Sequence, residues 1–109
     1  MNKTTISQHF RELQLHICSA LEQLDGHATF NEDTWEREEG GGGHTRTLQG
    51  GQILEKAGVA FSAVHGPVTA AMKQQLGHEG ESFFATGVSI VLHPRHPRHP
   101  IMHMNVRYF

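Results

Sequence analysis

The residues best suited to chemistry lie near the carboxyl end, at alternate positions from His103 to Arg107. Side chains of a strand point to opposite faces in turn. In the run Ile101 to Tyr108, therefore, Ile101, His103, Asn105 and Arg107 share one face, and Met102, Met104, Val106 and Tyr108 share the other. The second face is apolar. The first carries an imidazole, an amide and a guanidinium, roughly 6–7 Å apart along the strand. Such a row can give or take a proton near neutral pH, orient a ligand through a neutral group, and clamp an anion with a forked donor. A half-exposed strand with a polar outer surface would show the same alternation.

A second run, Phe83 to His93, adds to it. Phe83, Ala85, Gly87, Ser89, Val91 and His93 fall on one face, and Phe84, Thr86, Val88, Ile90 and Leu92 on the other. The small residues Ala85, Gly87 and Ser89 would let a flat ligand approach the backbone closely, with Ser89 and His93 beside it. The alternative is that Gly87 marks a bulge and Ser89 is merely a satisfied polar residue.

Between these runs lies His93-Pro94-Arg95-His96-Pro97-Arg98-His99-Pro100, with histidine at every third position. Three residues per turn is the polyproline II period, so His93, His96 and His99 would line one edge of an extended segment. Imidazoles ligate zinc, copper or nickel, which makes a small histidine-rich metal-binding module of His93, His96, His99 and His103 the rival reading. Arg95 and Arg98 would repel a cation there. The glycine run Gly40 to Gly43 is followed by no Lys-Ser/Thr pair, so it is not a phosphate loop; a tight backbone passage or a bent sheet edge fits its surroundings better. Cys18 sits near an apolar helical stripe and reads as packing rather than nucleophile.

The elements that must position these groups follow from periodicity. Ile6, Phe10, Leu13, Ile17, Leu21 and Leu24 recur at helical spacing, predicting a helix over 4–24 that Asp25-Gly26 stops. Ala28 to Phe30 reads as a short edge strand before an acidic turn, Asn31 to Asp33. His44 to Leu48 and Ile53 to Val64 read as strands, Pro67 to Leu76 as a short helix, Phe83 to Leu92 and Ile101 to Tyr108 as further strands. One helix followed by strands with few crossovers predicts an α+β fold with a mainly antiparallel sheet.

Composition narrows the class. The 109 residues suit one small domain, and 9 basic against 11 acidic residues leave a formal charge of −2, with no basic face for nucleic acid. No apolar run approaches the ~20 residues a membrane-spanning helix needs. The start carries no signal-peptide pattern, and the single cysteine excludes an internal disulfide. A cytoplasmic location is the expectation. The chain stops on an apolar residue within a strand pattern, which predicts a truncated product or the amino-terminal portion, 1–109, of a longer single domain.

Four blocks carry a resemblance. Glu32-Asp33-Thr34-Trp35-Glu36-Arg37 with Gly40-Gly41-Gly42-Gly43-His44-Thr45-Arg46 resembles the opening signature of the oxygen-dependent coproporphyrinogen oxidases. Leu54 to Ser62, Ala85 to Pro94, and His103 to Phe109 resemble later blocks of that family, in the same order. The sequence departs from the pattern at His96, where the family has asparagine, at Ile101-Met102, and at Ala60, which replaces an asparagine.

The resemblance implies a large flat antiparallel sheet flanked by helices, working as a homodimer. It implies oxidative decarboxylation of two propionates of coproporphyrinogen III, giving protoporphyrinogen IX, with molecular oxygen as oxidant and no organic cofactor. By that resemblance His103 is the proton donor, Ser89 a substrate contact, and Asn105, Val106 and Arg107 a substrate-binding segment. His93 and His103 match positions assigned to a divalent metal. The family continues well beyond residue 109, with an acidic residue for the pyrrole N–H groups and a dimer segment. The expectation is a partial site with little activity in this chain alone.

Overall fold

The structure, a computed structural model, describes residues 3–38, 40–67 and 82–108. Its first element is helix α1, Lys3–Asp25, as the periodicity predicts. The buried stripe is shifted from the expected one. Leu13 and Leu24 are exposed, whereas Gln14 and Cys18 are fully buried beside Phe10, Ile17 and Leu21. Gln14 is tolerated there because its amide is satisfied: Nε2 donates to the carbonyl oxygens of His44 and Val59, both at 2.8 Å, and Oε1 accepts from Arg11 at 2.6 Å. Burial pushes the Cys18 thiol up, consistent with a packing role.

Five strands follow: β1 (Asn31–Glu36), β2 (Gly41–Gln49), β3 (Leu54–Pro67), β4 (Ser82–Pro94) and β5 (Met102–Tyr108). They form one antiparallel sheet in the order β1-β2-β3-β4-β5. With α1 laid across β3 and β4, this is the α+β architecture expected. Leu48, Leu54, Val59, Phe61, Val88 and Ile90 form the core under the helix, each such side chain contributing about 1.5–3 kcal/mol of burial.

Several boundaries differ from the sequence expectation, each for a physical reason. The edge strand is 31–36 rather than 28–30. Its acidic residues do not make a turn because Glu32 meets Arg11 at 2.8 Å and Arg46 at 3.5 Å across the helix side of the sheet. Phe30 is instead a buried plug, its N–H donating to Glu22 at 2.7 Å. The glycine run enters β2 from Gly41 onward. β3 runs past Val64 to Pro67; the rest of the short helix expected at 67–76 lies outside the described residues. β4 takes in both His93 and Pro94. Beyond it the chain turns, with the His99 N–H donating to the His96 carbonyl at 3.1 Å and the two rings 4.9 Å apart. The three histidines of the tract therefore do not line one extended edge.

The end of α1 is tied to the β2–β3 turn by one carboxylate. Asp25 is buried and accepts N–H groups from Leu54 and Ile53 at 2.9 Å, Ala28 at 3.0 Å and Gln52 at 3.1 Å. These bonds, led by Leu54 and Ala28, hold its carboxyl well below the usual carboxylate range. A negative charge at a helix carboxyl end is otherwise unfavourable. Here the donated N–H groups offset it.

Candidate functional site

One face of the sheet is covered by α1, and among the described residues the other is open. Residues paired across strands share a face, so the register alone places every side chain of the open one. Trp35, Gly43, Ser62, Gly87 and Arg107 form one unbroken row from β1 to β5. Asp33, Thr45, Ala60, Ser89 and Asn105 form the next, and Asn31, Thr47, Gly58, Val91 and His103 the third. The middle strands contribute mostly small residues. The larger functional side chains stand on the two edge strands, roughly 19 Å apart at about 4.8 Å per strand.

The result is a trough. A β-carbon added at Gly58 would meet nothing within 4 Å. A hollow of about 250 Å³ opens there, bordered by Thr47, Lys56, Val91 and His93. A smaller depression of about 60 Å³ lies between Ser62, Ser89, Asn105 and Arg107. Gly87 is not a bulge: β4 pairs with β3 and β5 on both sides of it without a register shift. An added β-carbon there would run into the main-chain carbonyl oxygen of Val106, so glycine is what lets β5 lie flush against β4.

The sequence-derived residues come together on this face with one exception. Ser89 and Asn105 are direct partners, Arg107 faces Gly87, and His103 faces Val91. His103, Asn105 and Arg107 are exposed. Val106 alternates away: its side chain pairs with Val88 on the helix side, and only its backbone borders the trough. Chemically, the wall offers a guanidinium for a carboxylate, a hydroxyl and an amide that can orient it, and an imidazole one row further along.

His93 lies two residues beyond Val91, the partner of His103, on the same face. Such diagonal neighbours stand roughly 7–8 Å apart. Among the described residues no group of three or more metal-ligating side chains is present. A pair of imidazoles falls short of the three or four protein ligands of a zinc site. His93 and His103 supply two of the ligands such a site needs, and no chemical step is assigned to a metal.

Sequence reasoning missed Trp35 as part of this face. Its indole Nε1–H donates to Thr45 Oγ1 at 3.2 Å, and the ring lies over Gly43, where a β-carbon would come within 2.6 Å of it. The signal was an aromatic residue upstream of a glycine run, but only the pairing of Trp35 with Gly43 gives it meaning. The helix side holds a separate cluster of Glu32, Arg11, Arg46 and His44, which latches α1 to the β1–β2 hairpin. Arg11 is the main cause of the lowered Glu32 carboxyl.

Comparison with known proteins bears on this face directly. The oxygen-dependent coproporphyrinogen-III oxidase of Prochlorococcus marinus strain SARG is 44% identical over 110 residues, covering 99% of this chain and 32% of that protein. The enzyme of the same name from strain NATL2A is 51% identical over 100 residues, covering 90% of this chain and 29% of that protein. The chain spans about a third of the length of these relatives. The sequence model for coproporphyrinogen III oxidase matches residues 5–109. With the match running through all five strands of the trough and the helix behind it, the chain belongs to the coproporphyrinogen III oxidase family.

Proposed function

We propose that the open face is the floor and one wall of a site for oxygen-dependent oxidative decarboxylation of coproporphyrinogen III. The observation that carries the reading is the alignment of Ser89, Asn105, Arg107 and His103 over one uncovered trough of small residues. The relatives' name supplies the substrate and the oxygen dependence, and the family resemblance of the sequence supplies the decarboxylation.

In each of the two steps the bond between the carboxylate and its side chain breaks and carbon dioxide leaves. A hydrogen departs with its electron pair from the carbon attached to the pyrrole. The two remaining carbons form the vinyl double bond, and the hydrogen with its electron pair passes to molecular oxygen, which takes up one proton to become hydrogen peroxide. Arg107 holds a propionate through its forked donors, and Asn105 and Ser89 fix its orientation. His103 supplies a proton as oxygen is reduced. Val106 contributes through its main chain.

Assembly as a homodimer and a cytoplasmic location belong to the same reading. None of the described helices is long and apolar enough to cross a membrane. The test is protoporphyrin fluorescence after incubation with coproporphyrinogen III, under air and under argon, with metals chelated. Oxygen-dependent product from this chain, or from the chain completed with the remaining length of a relative, supports the reading. A completed chain that binds no tetrapyrrole and makes no product rejects it.

A further inference from the structure

The trough has a second wall, and it is aromatic. Trp35 stands at the opposite end of the row that ends in Arg107, across Gly43, Ser62 and Gly87. Its ring is held from both sides that matter. The Nε1–H bond to Thr45 fixes its rotation at 3.2 Å, and the missing side chain of Gly43 lets one ring face settle on the β2 backbone. The residue is half-buried rather than enclosed and borders an open hollow of about 480 Å³ beside Arg37 and Ala63. Among the residues of the three rows it is the one aromatic side chain, and the chain contains a single tryptophan.

We infer that Trp35 is a substrate-binding residue, offering its indole ring to a pyrrole ring while Arg107 holds a carboxylate arm at the far end of the same row. The inference rests on the proposed function and names how the tetrapyrrole is seated. A pyrrole is flat and electron-rich and carries an N–H at its edge. It packs against an indole by offset stacking or by presenting that edge to the ring face. The floor between the two walls offers Gly43, Ser62 and Gly87, which leave the ligand free to span them. The two ends do different work. Arg107 reads charge and is screened by salt, whereas Trp35 reads a flat ring and is not.

The experiment is a titration of the chain, completed with the remaining length of a relative, with coproporphyrin III, the stable oxidised tetrapyrrole, followed by the porphyrin's own absorbance and anisotropy. It compares wild type, Trp35→Ala, Trp35→Phe, Thr45→Val and Arg107→Ala at two salt concentrations, with circular dichroism to confirm that each variant is folded. Trp35→Ala is expected to weaken binding about ten-fold with the salt dependence unchanged. Trp35→Phe restores most of the affinity, because the ring rather than its N–H makes the contact. Thr45→Val, which frees the indole, falls between. Arg107→Ala flattens the salt dependence. If Trp35→Ala binds as wild type while Arg107→Ala does not, the inference about Trp35 is overturned and the proposed function stands. If Trp35→Phe is as weak as Trp35→Ala, the ring is not the contact and the inference is also overturned. If the completed wild-type chain binds porphyrin and turns over but every Trp35 variant binds as wild type, only the inference falls; if the completed wild-type chain neither binds tetrapyrrole nor makes product, the proposed function falls.

Discussion

The α-carbon of Gly87 lies so close beneath the carbonyl oxygen of Val106 that no β-carbon fits between them. This contact sets how near β5 comes to β4, and β5 carries His103, Asn105 and Arg107. Gly87→Ala is expected to destabilise by about 1–3 kcal/mol, the usual cost of overpacking against backbone. Urea unfolding would measure it. Hydrogen exchange should show the amides of β5 opening before those of β3.

Gly58 is the contrasting glycine, with nothing above it. Gly58→Ala should leave stability unchanged or raise it by about 0.4–1 kcal/mol, through the lower entropy of the unfolded chain. It should still weaken tetrapyrrole binding, because the new methyl group stands on the trough floor. Opposite signs in the two measurements are the expected outcome. Parallel changes would mean that the floor at Gly58 is not part of the site.

His103→Ala, placed in the chain completed with the remaining length of a relative, should lower turnover by roughly 10²–10⁴-fold, the range for loss of a general acid or base. Coproporphyrin affinity should change little, since the proposed carboxylate clamp, Arg107, sits further along the strand. Stopped-flow turnover beside equilibrium binding separates the two effects.

Asp25 gives a pH signature. Its carboxyl is depressed in the folded chain relative to an ordinary value near 3.9. The folded state thus prefers the charged form. The stabilisation is fully present above that ordinary value and is lost as pH falls through the depressed one. Asp25→Asn should melt lower than wild type at pH 7, and the gap should close in acid below about pH 4. Thermal melts from pH 7 to pH 2 test this; a gap that widens in acid would contradict it.

Gln14 should matter more than its polarity suggests. Gln14→Ala leaves the carbonyl oxygens of His44 and Val59 without their amide donor under the helix and opens a cavity. The expected loss is about 1–3 kcal/mol from the unpaired groups alone. The midpoint of chemical unfolding is the measurement.

Which side chains of β5 and β4 share a face was legible in the sequence because strand alternation is a local property. His103, Asn105 and Arg107 share a face on alternation alone, before any pairing is known, and Ser89 falls on the corresponding face of its own strand. What alternation cannot disclose is which positions on different strands meet. The row from Trp35 to Arg107 depends on four successive registers. Each is hidden in turn geometry and in glycines such as Gly43, whose purpose is defined by a neighbour. Gln14 escapes a helical periodicity that counts apolar residues, because a buried amide satisfied by two strand carbonyls breaks that count. Glu32 reads as part of a turn because its cationic partners, Arg11 and Arg46, come from distant segments.

The order of the strands has a consequence for how the molecule is made. Every strand pairs with the one before it in sequence, so the sheet can grow by one hairpin at a time as the chain is synthesised, with short loop closures at most steps. The helix that seals the core is already present before the first strand emerges, and β5 joins last of the five. The residues proposed for chemistry are therefore synthesised after the strands they pair with. A fault in the edge strand β5 would leave the core under the helix in place, whereas a fault in β3, which packs on β2, β4 and α1, would disrupt it.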